Sequence, residues 1–173
     1  MADTLAIDLR ASLTWLFSEA LDLSSVNDQS TLEFDASLAD GTGDDQADLI
    51  WHDERTLAAA ASENLDLTAL ATVIFGGTVP INFAKVKAIL IVNTSTTAGH
   101  ELLVGGAGAG QAFATPFNNN VSAKVGVGPD SPLLLVNKQS GWAVTAGTGD
   151  ILRVQNSGAS AATYRIVIVG TSA

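Results

Sequence analysis

The chain has no cysteine, and only one methionine, one tyrosine and four prolines among 173 residues. Without cysteine there can be no disulfide and no thiolate metal site, so robustness must come from packing, subunit association or a bound ion. Bases are scarce: eight Lys and Arg stand against 18 Asp and Glu, for a net charge of −10. Such a chain repels a phosphate backbone, which argues against nucleic-acid binding. Long hydrophobic runs are missing too. Ala88 to Val92 and Leu133 to Val136 fall far short of the ~20 residues of a membrane-spanning helix. No basic segment followed by an apolar stretch opens the chain, so no secretory signal is expected.

What is present points to a packed β protein. Apolar residues make up 47% of the chain and charged residues 15%, which argues against disorder. Sixteen glycines, with many Ala, Ser and Thr, suit short strands joined by tight turns. The length is that of one domain, read as 1–173. Charge is uneven: residues 1–66 hold 15 of the 18 acids and two of the eight bases, Arg10 and Arg55. That contrast either solvates the N-terminal part or lets it meet a less acidic surface on another subunit.

Strand signals are strongest from residue 79 onward. Val79, Ile81 and Phe83 alternate, Val86 to Val92 is largely apolar, and Leu102 to Val104 runs into Gly105-Gly106. Val121 to Val127, Leu133 to Val136, Trp142 to Val144, Ile151 to Val154 and Tyr164 to Val169 follow, each bounded by turn residues. Short strands at this spacing predict an all-β fold, an antiparallel sandwich or barrel, and the form expected is a jelly-roll-like antiparallel β-sandwich. Ile166 to Val169, apolar on both faces, predicts a central or covered strand. Nearer the N-terminus, Leu5, Ile7, Leu9, Ala11, Leu13, Trp15 and Phe17 fit period 2, with polar residues between, and favour a strand over a helix. Residues 1–30 read either as an extended N-terminal arm or as the first core strand. Leu32, Phe34 and Ala36 alternate into Asp40-Gly41-Thr42-Gly43, and Thr68 to Phe75 is read as one helical turn.

The chemistry-bearing residues do not form an enzyme signature. His52 and His100 are the only groups suited to base catalysis near neutral pH. His52 lies in Trp51-His52-Asp53-Glu54-Arg55, read as a surface turn holding an ion pair. Neither a Gly-x-Ser-x-Gly elbow nor a cysteine nucleophile is present. The run Val104 to Gly110 lacks phosphate-loop spacing and reads as a flexible loop or strand bend. Asp40, Asp44, Asp45 and Asp48 are dense enough to suggest Ca²⁺, but lack the ligand spacing and terminal Glu of a calcium loop, so an exposed acidic turn is expected. Trp15, Trp51 and Trp142 are candidates for sugar stacking, though each sits in apolar alternation that favours burial. No catalytic, cofactor or metal residue is assigned.

Three stretches carry a resemblance. They are Ala47-Asp48-Leu49-Ile50-Trp51-His52-Asp53-Glu54-Arg55-Thr56-Leu57-Ala58 with Glu63 to Leu67; Phe83-Ala84-Lys85-Val86-Lys87-Ala88-Ile89-Leu90-Ile91 leading to Val104-Gly105-Gly106-Ala107; and Thr145 to Gly158. Together they make the chain resemble a family of small structural proteins encoded by tailed bacteriophages, often beside capsid genes. The resemblance implies a non-enzymatic virion component, in the first place a decoration (cement) protein on the outer capsid. It further implies the major capsid protein and further copies of the chain, as a homotrimer, as partners. The implied location is the virion, with the host cytoplasm during assembly, and no nucleic-acid or membrane partner. The alternative is a tail, baseplate or fibre component with a host- or glycan-binding sandwich; a β-sandwich hydrolase ranks below both.

Overall fold

A computed structural model describes residues 4–74, 76–108 and 110–173. Met1 to Asp3, Phe75 and Ala109 lie outside them, and with them the start of the expected arm, the end of the expected helical turn and one residue of the glycine-rich run. The described strands are β1 (Ile7–Ala20), β2 (Ser25–Asp40), β3 (Gln46–Ala47), β4 (Leu49–Leu57), β5 (Ser62–Asp66), β6 (Leu70–Ile74) and β7 (Gly77–Ile81). They continue as β8 (Lys85–Asn93), β9 (Leu102–Gly105), β10 (Lys124–Val127), β11 (Ser131–Val136), β12 (Trp142–Ala143), β13 (Ile151–Asn156) and β14 (Ala162–Thr171).

Two antiparallel sheets form a sandwich, as the alternation predicts. One has the order β11-β8-β14-β4, with β12 also on β8; the other has the order β10-β9-β13-β5. Along the chain the strands of the first sheet, β4, β8, β11 and β14, alternate with β5, the β9–β10 pair and β13 of the second, so that most connections cross from one sheet to the other. This is the doubled Greek-key connection of a jelly roll. The core lies between the sheets. Trp51, Ile89, Ile91, Tyr164, Ile166 and Ile168 come from one side, and Leu65, Leu102, Val104, Leu152 and Val154 from the other. Each such large side chain removed from water contributes about 1.5–3 kcal/mol.

β14 is central, between β8 and β4, as its two apolar faces predict. Gly170 marks a register shift against β8. A Cβ there would run into the Lys85 carbonyl oxygen and the Phe83 ring, so only glycine lets the two backbones approach.

Three local expectations need correction. Thr68 to Phe75 is not helical in its described part. Asp66 Oδ1 accepts from the Thr68 N–H and Oγ1, closing an Asx turn, and Leu70–Ile74 then pairs antiparallel with β7. The β-branched Thr72, Val73 and Ile74 favour that strand. Val121 to Ala123 is not strand either. The Asn120 carbonyl and side chain accept from Ala123 N–H and Ser122 N–H, and pairing begins at Lys124. Trp51 to Arg55 is strand β4, not a surface turn, although the ion pair expected there exists: Arg55 Nη1 lies 2.8 Å from Asp53 Oδ2.

The N-terminal third forms a third sheet. β1 and β2 pair without a bulge over 14 residues, from Ile7 opposite Leu38 to Ala20 opposite Ser25. At about 3.4 Å per residue this ribbon is roughly 45 Å long. The reverse at its tip, Leu21 to Ser24, is closed by the Leu21 N–H donating to the Ser24 carbonyl. Residues 7–40 are thus a two-stranded ribbon whose root, at Ile7, Leu9 and Leu38, packs on the sandwich.

Candidate subunit-docking surface

The ribbon's register decides what each face presents. Directly opposed residues of an antiparallel pair share a face. One face carries Ile7/Leu38, Leu9/Ala36, Ala11/Phe34, Leu13/Leu32, Trp15/Ser30 and Phe17/Asp28. The other carries Asp8/Ser37, Arg10/Asp35, Ser12/Glu33, Thr14/Thr31 and Leu16/Gln29. The first is apolar and has no charge until Asp28 near the tip. The second is acidic, its Arg10 set 3.5 Å from Asp35. Side-chain pairing on the polar side is local: Thr14 Oγ1 lies 2.9 Å from Thr31 Oγ1, and Ser18 Oγ donates to Asn27 Oδ1 at 2.7 Å.

Only the root of the apolar face is covered. Ile7, Leu9 and Leu38 pack on Ala88, Val169, Ile50, Val136 and Val167 of the sandwich's outer face, making a second, smaller core. Beyond the root the side chains face solvent: Leu13 is 66% exposed, Phe17 65%, Leu32 68%, Phe34 42% and Trp15 40%. Nine of the twelve large hydrophobic residues exposed among the described residues belong to this ribbon or its tip. A cleft of about 430 Å³ opens between β1 and the outer sheet, walled by Ile7, Leu9, Leu90, Leu134, Val167 and Val169. Single exposed apolar residues are ordinary; a contiguous strip on a projecting element marks a surface that another molecule covers. A two-stranded ribbon is also marginal in water by itself.

The residues singled out for chemistry fall elsewhere and apart. His52 is exposed on the outer face of β4 opposite Val167, while His100 sits in the loop before β9, where its carbonyl accepts from Asn93 Nδ2. The four aspartates do not converge. Asp40 accepts from Leu5 N–H, Asp45 pairs with Lys138 Nζ at 2.7 Å, and Asp48 accepts from the Ser172 N–H and Oγ. Asp40, Asp45 and Asp48 each pin a different segment, and among the described residues no group of three His, Cys, Asp or Glu is placed to hold a metal. Gly105, at φ +103°, bends the chain out of β9, and a Cβ there would meet the Ala123 carbonyl and the Phe117 ring. Gly105 and Gly106 thus form a bend at the end of β9 packed against their own chain, while Gly108 and Gly110 have open space beside them. Trp51 is core, its Nε1–H donating to the Ala71 carbonyl at 3.0 Å; Trp142 is half-buried, and Trp15 alone stands on the ribbon.

Sequence reading missed two polar clusters. Tyr164, fully buried, donates from its hydroxyl to Glu63 Oε1 at 2.6 Å, and Arg55 Nε donates to Glu63 Oε2 at 2.5 Å. Burial, then the bond to Glu63, pushes the Tyr164 phenol well above its ordinary value. Lys87 is also buried, its ammonium donating to the Gly43 carbonyl at 3.1 Å and to the Gln139 carbonyl. Burial lowers its pKa, against the pull of Asp44 and Asp45. The Tyr164–Glu63 bond spans 101 residues and the Lys87–Gly43 bond 44, which hid both clusters from local pattern. No family model, curated protein or solved structure matches the chain.

Proposed function

We propose that this chain is a non-enzymatic structural subunit of a tailed-phage virion, a decoration protein that cements the outer capsid surface. The observation that carries the reading is the projecting ribbon, which offers an uncovered apolar strip while its root is anchored in the sandwich. An element of that kind works by being buried against another subunit, since buried apolar area is what stabilises protein association. The phage resemblance supplies the setting: heads, with the major capsid protein as the surface beneath and further copies of the chain, as a trimer, beside it. The acidic balance favours a protein surface over nucleic acid.

Fractionating particles into heads and tails tests the location. Under this reading the protein travels with heads, and particles lacking it lose infectivity faster on heating or osmotic shock. Protein found only with tails moves the function to the tail, and particles of unchanged resistance remove the cement role.

A further inference from the structure

We infer that the occupant of the ribbon's apolar face is a second copy of this chain, so that the ribbon is the self-association element and contact with the capsid falls to other surfaces. The inference rests on the structural-subunit reading and names the partner at that site.

Three observations carry it. The first is area. Leu13, Trp15, Phe17, Leu32, Phe34 and Val26 are 40–68% exposed. For side chains of this size that leaves roughly 700 Å² of apolar surface, close to the ~800 Å² per partner of a standard interface. A contact between two ribbons that covered this strip would thus approach the size of a standard interface.

The second is charge. At −10, two copies repel each other over most of their surfaces. From Ile7/Leu38 to Trp15/Ser30 the apolar face has no ionisable side chain, and its two carboxylates, Asp28 opposite Phe17 and Glu19 opposite Val26, lie only toward the tip, whereas the opposite face carries Asp8, Arg10, Glu33 and Asp35. Joining two apolar faces turns both acidic faces outward and keeps them apart. An uncharged strip gives a foreign, charged partner nothing to complement, whereas the equally apolar strip of another copy of the chain suits it.

The third is continuity. The strip is the outward extension of a contact that already exists, because Ile7, Leu9 and Leu38 of the same face are packed at the root. The root fixes the ribbon's orientation, so less conformational freedom is lost when the outer part is covered.

The test uses the full chain. Light scattering on the wild-type protein at tens of micromolar should give a mass that is a multiple of 17.7 kDa. The pair Leu13→Ser with Leu32→Ser, directly opposed at the centre of the strip, should weaken self-association roughly 100-fold and give the single-copy mass. Leu16→Ser removes an equally exposed leucine from the other face and should leave the mass unchanged. A retained melting temperature shows that the sandwich remains folded in each variant. Since the chain has no cysteine, single thiols give an independent reading. Leu13→Cys should be shielded from a thiol reagent at high concentration, while Ser12→Cys reacts freely. A wild-type protein with the single-copy mass, equal loss of mass in Leu16→Ser, or equal reactivity of the two thiols overturns the inference. Binding to purified heads separates the two ideas. A single-copy protein that binds heads through the ribbon refutes the self-pairing and leaves the cement role standing. A ribbon-paired protein that does not bind heads does the reverse.

Discussion

Tyr164 gives the most quantitative check on the interior, because it is the only tyrosine in the chain. Its hydroxyl, fully buried, donates to a carboxylate that Arg55 also holds. Tyr164→Phe removes the donor with little change of shape. A hydrogen bond to a charged acceptor contributes about 1.5–3 kcal/mol, so the variant should lose roughly 2 kcal/mol near neutral pH. For a chain of this length that is a fall in Tm of about 4–8 °C. The pH dependence follows from the raised phenol. The unfolded phenol ionises near pH ~10 while the folded one keeps its proton. Its contribution is therefore fully present below about pH 10, and is lost at about 1.4 kcal/mol per pH unit above it. Wild type and variant should converge near pH ~11.5, where the wild type has lost the ~2 kcal/mol that separates them. Near-ultraviolet absorbance of tyrosinate reports this one side chain directly, and its rise should coincide with unfolding measured by tryptophan fluorescence. Tyrosinate appearing near pH ~10 in protein that is still folded would refute the burial argument, as would equal stability of the two proteins near neutrality.

Two further substitutions test polar groups that join distant segments. Asn156, fully buried, donates to the carbonyls of Leu57, Ala58 and Ser160 and accepts from Gly158 N–H. Asn156→Ala strands those groups and should cost about 3 kcal/mol in a denaturant titration, with the slope unchanged. Lys87→Met keeps the buried stem but removes the ammonium from the Gly43 and Gln139 carbonyls. It should cost roughly 2 kcal/mol and speed amide exchange in residues 41–46 well above that of β8.

The sandwich was readable from sequence because a period of two survives wherever one face is buried and turns are marked by Gly, Asn or Asp. Ile166 to Val169 is the clearest case: both of its faces are apolar, one turned to the core and the other partly roofed by the ribbon root. The ribbon was only half readable. Leu5 to Phe17 alternates, and so do Leu32, Phe34 and Ala36, but the reverse between the two strands, Leu21-Asp22-Leu23-Ser24, holds no glycine, proline or asparagine to announce a hairpin. Alternation also does not say whether the apolar side meets the chain's own core or another molecule. That distinction appears only once the root is seen to occupy the outer sheet and the rest to extend past it. Lys87 gave no signal of its own: it follows Lys85 at the start of β8, and its burial depends on two loop carbonyls that no local pattern predicts.

Amide hydrogen exchange along the ribbon, followed as a function of protein concentration, tests the central claim most directly. If the apolar face is buried between subunits, the amides of Ala11 to Ser18 should be protected in concentrated protein and lose that protection on dilution, while β8 and β14 stay protected throughout. Rapid exchange of the ribbon at every concentration, or protection that dilution does not change, would contradict it.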